Sequence, residues 1–251
     1  RARAEDNVRA EGAVYQLFST WHYSKSESYK YDSMLHYDML ALRAYEKTND
    51  SLAIAGAMSY VGTAYDELLQ FSVGQDYLIK SLRIYERHNN QIGIANSLTE
   101  LSMSYRSAKD YERAVYYGEQ GLKLSETLDD SLDLGINLFY IVPSYIKLKQ
   151  YETALAYADR SVRVLENNNA LEKDVGALCR AYGTRGMAYA KLGEYDKALV
   201  DHYYAWELCR SVVEHDSLAV GLTEGIAEVL RLQGRCEEAL TYYEPFIAHL
   251  R

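Results

Sequence analysis

The feature that most constrains this 251-residue chain is a recurrence of about forty residues. Units begin at Ser51, Gln91 and Ser131, a longer one at Leu171 and a last one near His215. A tyrosine recurs as Tyr65, Tyr105, Tyr145 and Tyr189, with Leu230 in its place at the end. An aromatic follows each time, giving the series Tyr31, Phe71, Tyr111, Tyr151 and Tyr195, then Cys236. Three residues later stands a small or slim side chain: Met34, Gly74, Ala114, Ala154, Ala198 and Ala239. Polar breaks at Asn49-Asp50, Asn89-Asn90, Asp129-Asp130 and Asn167-Asn168-Asn169 separate the units, and these residue types predict helix N-caps. Small residues at fixed spacing let paired helices approach closely, and the rings fill the gaps between one hairpin and the next. Such a chain folds as an array in which each unit buries its apolar face against its neighbours.

The stretch Gly186-Met187-Ala188-Tyr189, a basic turn, Gly193-Glu194-Tyr195-Asp196-Lys197-Ala198 and then Ala205 resembles the tetratricopeptide repeat. The resemblance runs from about Gly12 to Leu250. HEAT and armadillo arrays have similar periods but lack the spacing from tyrosine to alanine. The resemblance implies an all-α fold: an α-solenoid of about six tetratricopeptide-like hairpins in a right-handed superhelix, with first helices lining the inner surface. It implies one domain over 1–251, with a degenerate first repeat over 1–50 and repeats over 51–90, 91–130, 131–170, 171–214 and 215–251. In the first fifty residues the spacing is partly lost, because Lys25 stands where the tyrosine belongs. Helical periodicity over Ala4 to Tyr23 places Val14, Leu17, Phe18 and Trp21 on one face, and a second helix is expected from Asp32 to Glu46. A degenerate end repeat suits the outward face of a solenoid, which meets water.

The long repeat and the absence of a terminal proline look like the sensory helical arrays of bacterial signalling proteins. Some of these bind peptides; others precede a membrane helix and a kinase or DNA-binding output domain. The resemblance therefore implies a non-enzymatic protein- or peptide-binding scaffold, the sensing or interaction region of a larger bacterial regulator. It would lie in the cytoplasm or outside it, as part of a membrane-anchored protein. A self-assembly module is the alternative reading, and an enzyme is the remote one. The first residue is Arg1 rather than methionine, so a segment of a longer protein is expected.

Charge and motif content narrow the partners. A net charge of −9, from 27 basic and 36 acidic side chains, gives no basic face for nucleic acid. No run of apolar residues is long enough for a membrane-spanning helix. Cys179, Cys209 and Cys236 are too few and too spread for a zinc site or a disulfide framework, so they are expected to pack as small apolar residues. The six histidines show no metal-type pairing at i, i+4, and no nucleophile elbow or phosphate loop is present. No metal and no cofactor is expected, and no catalytic residue. The Lys-x3-Asn by which some tetratricopeptide domains hold chaperone tails is missing from the matching positions.

Of the 25 tyrosines, fifteen fall at four repeat positions, the last two comprising Tyr37, Tyr77, Tyr117, Tyr157, Tyr242 and then Tyr45 with Tyr85. These are architectural, whereas Tyr23, Tyr60 and Tyr140 lie off register and are candidates for an exposed groove. Pro143 interrupts a first helix and predicts a kink, and Pro245 interrupts the last one. Threading the family's inward positions gives a peptide groove of Met103, Arg106, Phe139, Tyr140, Ile146, Lys147, Met187 and Lys191. Its ends are acidic, with Asp66 and Glu67 on one side and Glu224 and Glu228 on the other. An apolar floor with a basic rim suits a peptide that carries aliphatic side chains and a carboxylate. The ending Phe246-Ile247-Ala248-His249-Leu250 lacks a polar cap, which predicts cover by further chain or by a homodimer through this end.

Overall fold

The computed structural model describes residues 2–23, 30–128, 131–167, 174–210 and 216–249, with side chains at all of these except 2–6, 22–23, 30, 131–133, 216–220 and 244–249. The expected places of Lys25, Asp129-Asp130 and Asn168-Asn169, and the side chains of Tyr23, Pro245, Phe246 and Leu250, lie outside the described residues. Twelve helices are described: α1 (Ala2–Tyr23), α2 (Lys30–Tyr45), α3 (Ser51–Glu67), α4 (Phe71–Arg87), α5 (Gln91–Ser107), α6 (Tyr111–Ser125), α7 (Ser131–Lys147), α8 (Tyr151–Asn167), α9 (Val175–Lys191), α10 (Tyr195–Arg210), α11 (Asp216–Leu232) and α12 (Cys236–His249). They pair in sequence as the hairpins of an α-solenoid, and no strand occurs among the described residues. By contacts the chain divides into two compact units, Arg1–Leu124 and Ser125–Arg251.

The five described hairpin turns close in the same way for a backbone reason. The amide of Gln70 donates to the carbonyl of Tyr65, Asp110 to Tyr105, Gln150 to Tyr145, Glu194 to Tyr189 and Arg235 to Leu230, all at 2.9 Å. This closure needs a left-handed residue just before the donor, found at Leu69, Lys109, Lys149, Gly193 and Gly234. Leu230 closes the turn as well as tyrosine does, so the recurring tyrosine is chosen for its ring. The rings of Tyr65 and Tyr77, Tyr105 and Tyr117, and Tyr145 and Tyr157 stack at 5.7, 5.3 and 5.2 Å between centroids. One recurring tyrosine therefore pairs with another across each of these hairpins.

The slim series is buried as expected, from Met34 through Gly74, Ala114, Ala154 and Ala198 to Ala239. Close approach is tight at Gly74, where an added Cβ would run into the Asp66 carboxylate and stand 2.7 Å from the Gly62 carbonyl. Helix starts also follow the polar breaks: Asp50 accepts from Ala53 N–H at 3.1 Å and Asn90 from Gly93 N–H at 2.9 Å. The fifth hairpin differs from expectation. Its first helix begins at Val175, and Asp174, not the asparagine run, accepts from Ala177 N–H at 2.8 Å. Helix α7 continues through Pro143 from Ser131 to Lys147.

Contacts show which helices form the inner side. In the first unit α3 adjoins α5, and in the second α7 adjoins α9, which adjoins α11. Second helices α2 and α4, or α8 and α10, show no comparable approach. First helices thus make the inner wall of each unit.

α1 departs from the expected pattern. Gly12, Tyr15, Gln16 and Ser19 face α2, while Val14, Leu17, Phe18 and Trp21 stand exposed. The inward stripe is held by specific contacts. The Tyr45 ring lies against Gly12, Tyr45 Oη donates to Gln16 Oε1 at 3.1 Å, and Ser19 hydrogen-bonds Asp38. The apolar face that periodicity marked is the outer one, so the outward face of this end is not polar.

Candidate functional site

In the first unit the inner wall carries acids rather than an apolar floor. Ser59 and Asp66 lie seven apart on α3, and Ser97, Glu100 and Ser104 lie on one stripe of α5, so the two rows meet where the helices adjoin. Ser81 on α4 donates to the Ala55 carbonyl at 2.7 Å, and the Ser59 and Ser81 hydroxyls stand 3.1 Å apart. The Ser59 hydroxyl also stands within hydrogen-bond reach of Glu100. Burial pushes the Glu100 carboxyl up to about 7, the hydrogen bond with Ser59 offsets part of the effect, and the nearby Asp66 adds to it. Asp66 is pushed up to about 6, first by burial and then by Glu67, with Ser104 offsetting part of the effect. Glu100 Oε2 is buried with no hydrogen-bond partner among the described residues. On the same wall Met103 and Arg106 are half-buried, and Tyr60 is exposed.

In the second unit the wall of α7, α9 and α11 is more apolar. Phe139 and Ile146 are buried, and Phe139 packs with Val162, Leu165, Ala177, Leu178 and Ala181. Tyr140 is half-buried, its ring 4.6 Å from that of Phe139. Lys147, Met187 and Lys191 are exposed. The cation of Lys191 lies close enough to Glu228 to help hold its carboxyl below the ordinary range, after the larger effect of the Arg231 bond. Arg231 grips Glu228 with two 2.8 Å bonds. Acidic end and basic rim therefore adjoin here. Of the eight residues expected in the groove, Met103 and Arg106 belong to the first unit and the other six to the second.

Three arrangements lay beyond sequence reasoning. Arg185 on α9 forks onto Asp201 at 2.7 and 2.8 Å, reaches Asp159 at 3.4 Å and lies 4.9 Å over the Tyr182 ring. Asp201 stands where the other hairpins carry Tyr77, Tyr117 and Tyr157, so the break in that series was the available signal. His202 is buried between Gly186 and Gly225, and burial lowers its imidazole to about 4, which keeps it neutral. Cys179 and Cys209 pack as small apolar residues, as expected, in one buried cluster with Ala205 and Leu222, and they hydrogen-bond each other, whereas Cys236 is exposed rather than packed. Among the described residues no group of acidic, histidine and cysteine side chains could hold a metal ion, and no helix is long and apolar enough to cross a membrane.

Comparison with known proteins agrees with this architecture. The tetratricopeptide repeat family model matches residues 94–128. No curated protein gives a significant sequence match. Among solved structures, aspartyl phosphate phosphatase F from Bacillus subtilis is 17% identical with a TM-score of 0.73, over 98% of this chain and 72% of that one. A Rap protein complexed with competence and sporulation factor is 15% identical with a TM-score of 0.70, over 95% and 74%. A signal transduction ATPase with numerous domains and a tetratricopeptide repeat sensor, from Pyrococcus horikoshii, is 16% identical with a TM-score of 0.70, over 86% of this chain and 33% of that one. At these identities the likeness is one of fold: the chain is a tetratricopeptide-type helical-repeat solenoid.

Proposed function

We propose that this tetratricopeptide-type solenoid is a non-enzymatic scaffold that binds a protein or peptide along its first helices, as the sensing or interaction region of a larger bacterial regulator. The observation that carries the reading is the exposed Met187 with Lys147 and Lys191 on the wall of α7 and α9. An exposed thioether adapts its shape to aliphatic side chains, and two ammonium groups beside it favour a carboxylate. Tyr140 and Ile146 support that floor from below, and Met103 with Arg106 offers the same pairing in the first unit. Two of the fold relatives support a binding role, one solved in complex with competence and sporulation factor and one carrying a tetratricopeptide repeat sensor. Selection of a displayed peptide library against the chain tests the reading. Peptides with aliphatic residues and a carboxylate should be enriched, and the double change Lys147→Glu with Lys191→Glu should weaken them at least about tenfold. Enriched peptides indifferent to that double change would remove the groove.

A further inference from the structure

The exposed face of α1 carries an inference separate from the groove. Val14, Leu17, Phe18 and Trp21 follow the i, i+3, i+4, i+7 spacing of a helix contact stripe. They are 47, 70, 47 and 53% exposed, and a hollow is lined by these four side chains. This is not a helix awaiting a place in its own hairpin, because α1 already packs on α2 through Gly12, Gln16 and Ser19. At those exposures the four side chains present roughly 400–500 Å² of apolar surface, the size of the largest patch on a typical monomer.

We infer that this face is a self-association surface, and that a second copy of the chain covers it by antiparallel pairing of α1 with α1. Three observations favour a second copy over another occupant. First, the stripe is its own complement under a two-fold axis between Leu17 and Phe18. Val14 then meets Trp21 of the other copy and Leu17 meets Phe18, a smaller side chain opposite a larger one each time. Secondly, the stripe and its flank at Ala10, Ala13 and Thr20 carry no charge, and Glu11 on the other edge is bonded by Tyr15 Oη at 3.0 Å, so like chains meet along the stripe without repulsion. Thirdly, two such faces together bury about 800–1,000 Å², which reaches the lower bound for a biological interface.

Sedimentation analysis of the 251-residue chain from about 1 to 200 µM tests the inference, with helicity followed alongside. A concentration-dependent dimer is expected. Leu17→Glu should weaken it at least about 100-fold without loss of helicity, because its carboxylate would be trapped against Phe18 of the other copy. Adding Phe18→Lys to Leu17→Glu sets opposite charges across the axis and should recover at least about tenfold of the loss. A chain that stays monomeric throughout the range overturns the inference. So does a dimer unmoved by Leu17→Glu, which would place the contact elsewhere, such as the C-terminal end.

Discussion

At the scale of residues, the acids of the first unit set a pH dependence whose sign is fixed. Glu100 titrates in the fold at about 7, above its ordinary value, so the folded chain holds a proton that the unfolded chain has released. The resulting stability is full below the ordinary carboxylate range and is lost as pH rises through about 7. Asp66 adds a loss of the same sign that is complete above its own value of about 6. Glu100→Gln keeps the size of the side chain and removes the proton linkage. Thermal unfolding between about pH 5 and pH 8 should show a flatter profile for the variant, with its midpoint at the upper end raised by about 2–4 °C. An unaltered slope would mean that Glu100 does not set the pH dependence. None of this was visible in the sequence, where Glu100 is one acid among many and Ser59 and Ser81 carry no signal. The hydroxyl chain depends on three helices meeting.

At the scale of elements, the hairpins were legible because their determinants are local and repeated. The tyrosine whose carbonyl closes the turn, the polar residue that caps the next helix and the alanine that admits its partner recur at fixed spacing. Ala154 is the clearest probe of that register, being fully buried at the start of α8. Ala154→Leu adds side-chain volume where the hairpin leaves none and should cost about 1–3 kcal/mol in denaturant unfolding. An unchanged midpoint would put Ala154 outside the helix contact. α1 shows where element-level reading fails. Its two stripes, Gly12-Tyr15-Gln16-Ser19 and Val14-Leu17-Phe18-Trp21, have equal spacing, so periodicity selects the more apolar one. A glycine against the Tyr45 ring and a serine bonded to Asp38 make the polar stripe the inner one. Arg185 with Asp201 is a parallel case, an ion pair occupying the place of a tyrosine stack.

At the scale of the whole molecule, a repeat array is stabilised by contacts between successive hairpins, while its first helices remain free to carry side chains chosen for a partner. The composition of those helices changes along the chain. Acids with raised titration occupy α3 and α5, and exposed Met187, Lys147 and Lys191 occupy α7 and α9. Sequence spacing marked these positions as inward, but it could not show that Phe139 and Ile146 are committed to packing while Met187 stands exposed. Burial depends on the neighbouring hairpin rather than on the helix itself. The central claim, that first helices form the binding surface, is tested most directly by hydrogen–deuterium exchange of the chain with and without a peptide selected from the displayed library. Added protection is predicted on α7 and α9, around Tyr140 to Lys147 and Met187 to Lys191, with α8 and α10 unchanged. Protection confined to second helices such as α8 and α10 would contradict it.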